Sequence, residues 1–412
     1  MSLSIIAATL TTPDSVAVTS SARTVASAAT PVAPSEVRNH TWFNAKPATI
    51  EDQKKMHDGV VRHVSRVINA ASPGATLSLT LYFFNRQEIV GALQTAAARG
   101  VRIQIVVDGD MVGNSWHQAL KAIPSVKIVE CDPRSSGDSP VRGCMSNRIN
   151  SAPLDKRPIN HNKFMTVSSV ELTGGATAKN VLYVSSANLD YYGAYESALT
   201  ISHAGLYRDY LRYFNDLMRH GESGRVNNNY GRTFTAGAHR VYTFPRREAT
   251  GGPRSASNDP ISTLLRNTTC GSSGETRIEL ANFRIQRRAV VRELIAARER
   301  GCRVRVVTGE NGFAALKDLA RAVPVRHCGH TAAGGVTMHE KFMIVRRGSQ
   351  STLYAGSQNL TYRGLRQNDE AILALRNHVV ADPYQGRFNW LYRECKPIEF
   401  PASTTNLDED TD

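Results

Sequence analysis

Two short motifs in this chain place a lysine two residues after a histidine. The first is His161-Asn-Lys163 and the second is His339-Glu-Lys341. Residues i and i+2 of an extended strand project to the same face, so each motif predicts an imidazole beside an ammonium group. An imidazole can attack phosphorus or protonate a leaving oxygen, and an ammonium group can balance charge on non-bridging phosphate oxygens. The pair therefore indicates chemistry on a phosphodiester.

Each motif leads through a turn into a second predicted strand that ends in Ser-x-Asn. The two endings are Ser186-Ala-Asn188 and Ser357-Gln-Asn359. An asparagine amide is a neutral donor to the same phosphate oxygens. One half alone supplies a nucleophile without an acid, whereas two facing halves supply both, so the duplication has a mechanistic reason. A single His-x-Lys match is trivial, but two matching four-part units are not.

A carboxylate follows each asparagine at a short distance along the chain. These residues are Glu196 and Glu370. Each could accept a hydrogen bond from a catalytic histidine and fix its tautomer. A solvated or ion-paired strand residue is an equal alternative at both positions.

The elements that must position these residues also repeat, with an offset of 201 residues between Gly100 and Gly301. Each copy is a strand, an Ala- and Arg-rich helix that stops at a glycine, and another strand. This alternation predicts an α/β fold in which a mixed, parallel-leaning sheet is flanked by helices. The predicted segments are a strand from Leu77, helix Gln87–Arg99 and strand Val101–Val107, then a strand from Ile278, helix Arg288–Arg300 and strand Cys302–Thr308; an earlier helix is predicted at Asp52–Ala71.

Composition shifts divide the chain into five parts. The predicted parts are a disordered leader or signal remnant at 1–40, a first half at 41–222, a linker at 223–238, a second half at 239–400 and an acidic tail at 401–412. The leader is rich in Ser, Thr, Ala and Pro and can bury little surface. The linker is rich in Gly, Asn and Arg.

Six cysteines favour an exported, disulfide-bearing protein. Cys131 and Cys144 bracket a loop with little apolar content, and a crosslink there would stabilise the fold by roughly 3 kcal/mol. The pairing of the other four is left open. Leu3–Leu10 is apolar, but no basic residue precedes it as in a secretory signal, so the prediction of secretion rests mostly on the cysteines.

The motifs taken together resemble the phospholipase D superfamily, whose signature is two His-x-Lys-x4-Asp motifs, each with a downstream Gly-Ser-x-Asn. The resemblance covers about 41–400. It implies two pseudo-twofold-related α/β halves, an active site at their interface, a phosphohistidine intermediate, and neither metal nor cofactor. It assigns catalytic roles to His161, Lys163, Asn188, His339, Lys341 and Asn359, and supporting roles to the motif serines Ser186 and Ser357.

Three departures from this pattern bear on the substrate. Ser168 and Arg346 stand where the motif aspartates belong, and Ser185 replaces the first motif glycine. The tyrosyl-DNA phosphodiesterase branch also lacks that aspartate, so its loss is compatible with catalysis. The run Asn160–Phe164 and the cysteine-bounded loop look most similar to secreted actinobacterial phospholipase D-like proteins.

Other residues near the motifs have both functional and structural interpretations. The loop from Cys131 to Asn160 is basic, and could attract an anionic substrate or simply be solvated. Three tyrosines after Asn188 could line the pocket or pack in the core. Two aspartates could bind metal or cap a turn, and the capping role is favoured. These residues are the arginines and lysine Arg134, Arg142, Arg148, Lys156 and Arg157, the tyrosines Tyr191, Tyr192 and Tyr195, and the aspartates Asp108 and Asp110.

The leading hypothesis is a metal-independent phosphodiesterase, monomeric and secreted, with His161 as nucleophile and His339 as acid. Export and the resemblance favour a phospholipid substrate, with peripheral contact to an anionic membrane. The net charge of +14, the missing aspartates and only three tryptophans favour the alternative, a nuclease. A catalytically silent binder of anionic polymers is the alternative from another class. Intact His and Lys in both halves argue against it.

Overall fold

The computed structural model describes residues 28–132, 143–148, 157–248, 250, 255, 258–271, 275–329 and 335–401. Most of the predicted leader, the acidic tail after residue 401 and much of the loop between Cys131 and Asn160 lie outside the described residues.

The first half contains eight strands and six α-helices among its described residues. The strands are β1 (Asn39–Phe43), β2 (Thr76–Leu81), β3 (Arg102–Val107), β4 (Lys127–Glu130), β5 (Phe164–Glu171), β6 (Thr177–Ser185), β7 (Ala194–Tyr195) and β8 (Ser197–Ser202). The helices are α1 (Ser35–Arg38), α2 (Ile50–Lys54), α3 (Asp58–Asn69), α4 (Gln87–Ala98), α5 (Ser115–Lys121) and α6 (Ala204–Ser223).

The second half repeats this succession with additions at both sheet edges. Its strands are β9 (Thr233–Ala236), β10 (His239–Thr243), β11 (Thr276–Asn282), β12 (Arg303–Thr308), β13 (Val325–His327), β14 (Thr337–Met338), β15 (Lys341–Arg347), β16 (Gln350–Gly356), β17 (Ala371–Arg376) and β18 (Lys396–Pro397). Its α-helices are α7 (Pro260–Arg266), α8 (Arg288–Glu299), α9 (Ala314–Ala322) and α10 (Ala381–Glu394).

The two large sheets have the same core topology. The first runs β1-β8-β6-β5-β2-β3-β4, and the second runs β18-β13-β12-β11-β15-β16-β17-β10-β9. In each, one run of three strands is parallel, and the strand that follows each His-x-Lys motif is antiparallel to its neighbours. The predicted mixed sheets flanked by helices are thereby confirmed. A third, two-stranded sheet of β7 and β14 joins the halves.

The hydrophobic core has three parts. One lies between the sheets and draws from both halves, with Phe164 and Leu182 on one side and Phe342 and Leu353 on the other, around α6 and α10. The other two cover the outer face of each sheet. The shared central core means that the halves fold against each other.

The two repeated helices lie where the sequence places them. Helices α4 and α8 match the predicted helices Gln87–Arg99 and Arg288–Arg300 to within one residue. Gly100 and Gly301 follow them with φ of 82° and 95°, a left-handed conformation that favours glycine and ends the helix.

The predicted helix Asp52–Ala71 is instead two helices. Helix α2 buries none of its residues, whereas α3 buries one apolar face, so the two pack differently. Between them His57 turns inward, and its Nδ1 lies 2.9 Å from a carboxylate oxygen of Asp190. The break allows this buried contact, which one continuous helix would not provide.

Two predicted boundaries also change. Part of the predicted leader is ordered, because Val32 and Val37 are buried and β1 begins at Asn39. Part of the predicted linker is β9, which pairs with β10 at the sheet edge. Both segments contain only a few apolar residues among many polar ones, so their composition does not reveal that they are ordered.

All six cysteines form disulfides. The predicted Cys131–Cys144 bridge is present, together with Cys270–Cys302 and Cys328–Cys395. Among the described residues, no helix is both long and apolar enough to cross a membrane.

Candidate active site

The two His-x-Lys motifs lie at corresponding ends of the sheets. His161 and Lys163 precede β5, and His339 precedes β15, which begins at Lys341. The histidines are therefore in extended segments that enter the strands, and not within the strands as predicted. Each lysine folds back over its own motif, because Lys163 Nζ donates to the His161 carbonyl at 2.9 Å and Lys341 donates to that of His339.

Each histidine is held by a glutamate of the opposite half. Nδ1 of His161 lies 2.9 Å from Oε1 of Glu370, and Nδ1 of His339 contacts Oε1 of Glu196. All four side chains are almost completely buried. A carboxylate at Nδ1 keeps the proton on that nitrogen, so the lone pair of each neutral imidazole is on Nε2. Both imidazoles thus have the tautomer that a nucleophile or a proton acceptor requires.

Backbone hydrogen bonds cross between the halves at the same place. The His161 amide donates to the Asp369 carbonyl at 3.0 Å, and the His339 amide donates to the Tyr195 carbonyl at 2.9 Å. In each case the acceptor immediately precedes the glutamate that holds the same histidine. The two motifs are thereby locked into one site at the interface.

The motif serines orient the glutamates. Ser186 donates its hydroxyl to Glu196, and Ser357 donates to Glu370, in each case within the same half. Each glutamate therefore has one oxygen on a serine of its own half and the other on a histidine of the opposite half. The alternative of a solvated carboxylate does not apply to either residue.

Burial and the opposing charges set the protonation states of the site. Burial lowers the pKa of His161 to about 4, against the opposing effect of Glu370. It also lowers the pKa of His339, with Glu196 opposing. The lysine of its own motif, and to a smaller extent the lysine of the opposite half, lower the pKa of each histidine further. Both imidazoles are neutral at pH 7 before an anion binds.

The pKa values of the lysines and of the glutamates are both lowered, for different reasons. Burial lowers the pKa of Lys163 to about 7 and that of Lys341 to about 8. Burial alone would raise the pKa of Glu196, but His339 and Lys341 bring it down to about 2. The pKa of Glu370 is likewise lowered, because His161 and Lys163 outweigh burial. The carboxylates stay charged, and an anionic substrate would favour the charged ammonium groups.

The motif asparagines lie in the loops that follow β6 and β16. The carboxamide oxygens of Asn188 and Asn359 are buried and have no hydrogen-bond partner among the described residues. Asn188 lines one small cleft together with Lys163 and Tyr82. These carboxamide oxygens can accept hydrogen bonds from a ligand, and the NH2 group of each side chain can donate to one.

Two aromatic residues flank the histidines, and sequence reasoning missed both. The ring of Tyr82 lies 5.0 Å from that of His161, and the ring of Phe283 lies 4.4 Å from that of His339. They occupy equivalent positions in the repeat, separated by the same 201 residues as the paired glycines. This shared separation, with an aromatic residue at both positions, is the sequence signal that could have identified them. Tyr192 adds a second ring 5.4 Å from His339.

Several other candidate residues have structural roles. Tyr195 is buried against Trp390, whereas Tyr191 is exposed beside Arg86. Asp108 accepts the amides of Asp110 and Asn160, which is the favoured capping role.

The described part of the basic loop is also structural. Arg148 donates to the carbonyl oxygens of Arg246, Arg366 and Asn228, and Arg157 pairs with Asp110. These two arginines therefore stabilise the loop through contacts within the protein. Arg134, Arg142 and Lys156 lie outside the described residues.

The positions of the missing motif aspartates are likewise occupied structurally. Ser168 accepts the amide of Thr76, and Arg346 pairs with Asp382. The carboxylates of this site come instead from Glu196 and Glu370.

Comparison with known proteins shows the family of this chain. The family model described as "Cardiolipin synthase, PLD-like domain" matches residues 64–218 and 271–392, well over half of the chain. The chain belongs to this phospholipase D-like family.

Two curated relatives are the mitochondrial cardiolipin hydrolases of Xenopus tropicalis and Xenopus laevis. Each is 30% identical over 127 residues, which make up 30% of this chain and 58% of the relative. The match therefore spans little more than half the length of these relatives.

Two solved structures share the two-halved fold. Polyphosphate kinase from Porphyromonas gingivalis aligns with a TM-score of 0.55 and 14% identity, covering 90% of this chain and 54% of the kinase. Phosphatidylserine synthase from Haemophilus influenzae aligns with a TM-score of 0.53 and 11% identity, covering 87% and 90%. At these identities they show the fold alone.

Proposed function

We propose that this chain is a phosphodiesterase that acts by double displacement through a phosphohistidine, with a phospholipid as its substrate. The observation that carries the proposal is the crossed pair of His–Glu contacts at the interface of the halves. These contacts hold both imidazoles by Nδ1 at the interface of the halves, which leaves each Nε2 to face a substrate. A phosphorus atom between them can be attacked from one side while its leaving oxygen is protonated from the other.

In the first step, the Nε2 lone pair of His161 forms a bond to phosphorus as the bond to the leaving oxygen breaks. That oxygen takes a proton from the imidazolium of His339, which an arriving phosphate anion favours. In the second step, a water oxygen attacks phosphorus, the P–N bond breaks and His339 takes the water proton. The products are a phosphomonoester and an alcohol, and both imidazoles return to their starting states.

The remaining polar groups stabilise the transferring phosphoryl group. Lys163 and Lys341 supply positive charge from each side, and the carboxamides of Asn188 and Asn359 supply neutral hydrogen bonds. Such preorganised groups act in a buried site where water screens them little. These four residues stabilise the transferring phosphoryl group, and the proposed mechanism uses no metal ion.

Exposed apolar residues around the site support a phospholipid. Phe83 is 36% exposed, Tyr191 52% and Tyr192 47%. Phe83 follows Tyr82, which flanks His161, and Tyr192 flanks His339. Ile50, 71% exposed, lies on α2, whose Gln53 bonds the carbonyl of Gly193. Exposed apolar residues gathered at one place mark an interaction surface, and a lipid surface fits this one.

The names of the matched family and relatives, which refer to cardiolipin, also favour a lipid. The net charge of +14 favours the second candidate, a nuclease that uses the same site. A silent binder of anionic polymers is disfavoured, because the buried catalytic groups are complete in both halves. Three disulfides are typical of oxidising compartments, and we extend the proposal to secretion.

The test is to incubate the protein with EDTA and either phosphatidylcholine vesicles or plasmid DNA. We expect release of the headgroup alcohol and no nicking. His161→Asn and His339→Asn should each abolish turnover, while His220→Asn, a change outside the site, should not.

Different outcomes contradict different parts of the proposal. Nicking without headgroup release would replace the lipid with nucleic acid. Loss of activity in EDTA would remove the metal-free mechanism. Unchanged rates in both site variants would remove the site assignment.

A further inference from the structure

A second concave feature lies on the outer face of the second half, away from the histidines. It is a groove of about 850 Å³ over β10, β15, β16 and β17. Five arginines line it, together with Tyr242 and Tyr354. The arginines are Arg240, Arg246, Arg247, Arg347 and Arg376.

The equivalent face of the first half is covered by helices. Counting from the paired glutamates, Ser202 matches Arg376, and counting from the paired histidines, Ser169 matches Arg347. By strand register, His40 matches Arg240. The second half therefore has an arginine at three positions where the first half has Ser or His.

The first-half residues at these positions are used internally. Ser202 donates to the Val37 carbonyl of α1 at 2.8 Å, and the hydroxyls of Ser169 and Ser72 are 2.8 Å apart. His40 stacks on His63 of α3, with ring centroids 4.3 Å apart. In the second half, α7 has 7 residues where α3 has 12, and the sheet face beside it is left open.

The arginines of the groove have little opposing charge. Asp259, the one acidic residue in the described part of the lining, is fully buried, caps α7 and pairs with Arg287. Arg347 meets Glu275 at 3.5 Å in a half-exposed pair, which is a weak interaction. Arg246 lies over the ring of Tyr242 and donates through Nη2 to the Arg232 carbonyl and the Thr233 hydroxyl, while its buried Nε has no partner among the described residues.

We infer that this groove binds single-stranded nucleic acid through its phosphate backbone. Guanidinium groups match phosphate geometry, and the partly exposed ring of Tyr242 can stack on a base without regard to sequence, whereas Tyr354 is buried. Arg240 lies on β10 and Arg246 follows six residues later, beyond the end of that strand at Thr243, so their backbones are at most about 20 Å apart and several phosphates can lie between them. Proteins that bind single strands likewise combine a positively charged groove along the backbone with an aromatic side chain that contacts a base.

A lipid surface fits this groove poorly. Its arginines line a concavity without an apolar rim, because the large apolar residues that are exposed in the described part of the chain all lie elsewhere. That contrasts with the apolar rim of the catalytic site. The inference goes beyond the proposed phosphodiesterase and holds whether or not that activity is lipid-directed.

The test is fluorescence anisotropy with a labelled oligo-dT of 15 nucleotides. All proteins carry His161→Asn so that the probe is not cleaved. We expect the Arg240→Ala/Arg376→Ala variant to bind at least tenfold more weakly. The dependence of log K on log salt should become shallower by about 1.4, since each lost phosphate contact contributes about 0.7 for a single strand. Arg62→Ala/Arg102→Ala removes the same charge from exposed sites on the first half and should change affinity less than threefold.

A third variant separates base stacking from charge. Tyr242→Leu keeps an apolar side chain and should lower oligo-dT affinity at least fivefold, while affinity for inorganic polyphosphate, which has no bases, stays unchanged. Equal losses in the groove variant and the control, binding only to anionic vesicles or polyphosphate, or no binding would each overturn the inference. In protein that retains His161, the Arg240→Ala/Arg376→Ala variant should release the headgroup at an unchanged rate, so the two proposals fail separately.

Discussion

In the first half, Val167 of β5 is fully buried beneath a layer of helices, whereas the equivalent Val345 of β15 lines the open groove of the second half. Where the halves face each other, the difference disappears: each supplies His, Lys, Ser, Asn and Glu at matching positions. The comparison teaches that a duplicated fold keeps its symmetry where both copies must cooperate. On the outer faces each copy needs only to remain stable, so their surfaces can diverge.

The largest expected difference between the two halves is which histidine becomes phosphorylated. With a diester that has a good leaving group, His339→Asn should accumulate an acid-labile adduct on His161, because the water-activating base is missing. His161→Asn should accumulate none. Intact mass and peptide mapping after rapid quenching would locate the adduct, and an adduct on His339 instead would exchange the two roles.

The crossed glutamates should behave alike in both halves. Glu370→Gln and Glu196→Gln each remove the charge behind one histidine and permit the wrong tautomer. In the serine-protease triad the analogous change lowers kcat by about 10⁴-fold, and we expect losses approaching this. The ¹⁵N shifts of the imidazoles should report a proton moved to Nε2. A normal tautomer with normal activity in either variant would remove that glutamate from the mechanism.

The lysines should set an alkaline limit on the free enzyme. Burial lowers the pKa of Lys163 to about 7 and that of Lys341 to about 8, and lysine is charged below its pKa. We therefore expect kcat/KM to fall severalfold as pH rises through this range. Lys163→Arg should move the limit upward even if the rate is lower, since arginine stays charged. A flat profile from pH 6 to 9 would contradict this assignment.

The smallest expected effect is on stability, and it tests the outer faces. Val167→Ala should reduce the free energy of unfolding by about 2 kcal/mol, because it removes fully buried methyl groups and leaves a cavity. Val345→Ala should cost about 1 kcal/mol or less, since solvent reaches the groove. Chemical denaturation of the two variants gives the comparison, and equal losses would mean that the groove is covered in solution.

Much of the site could be predicted from the sequence because its residues come in repeated local patterns. The His-x-Lys and Ser-x-Asn units are short, and their spacing to a strand is enough to place them at a sheet end. The same local logic found helices α4 and α8 with their terminal glycines, and the bridge between Cys131 and Cys144, whose residues are near in sequence. It failed for Asp52–Ala71, where a tertiary contact of His57 with Asp190 favours two helices over one.

By itself the sequence determined the class of fold, its duplication and the reactive side chains, since these depend on short-range patterns of residue type. Only the tertiary structure decided which glutamate holds which histidine. Glu370 lies 209 residues from His161 and Glu196 lies 143 from His339, separations at which no local pattern specifies a partner. The open, arginine-lined face of the second half was also hidden, because it follows from a short helix that fails to cover strands contributed from distant parts of the chain.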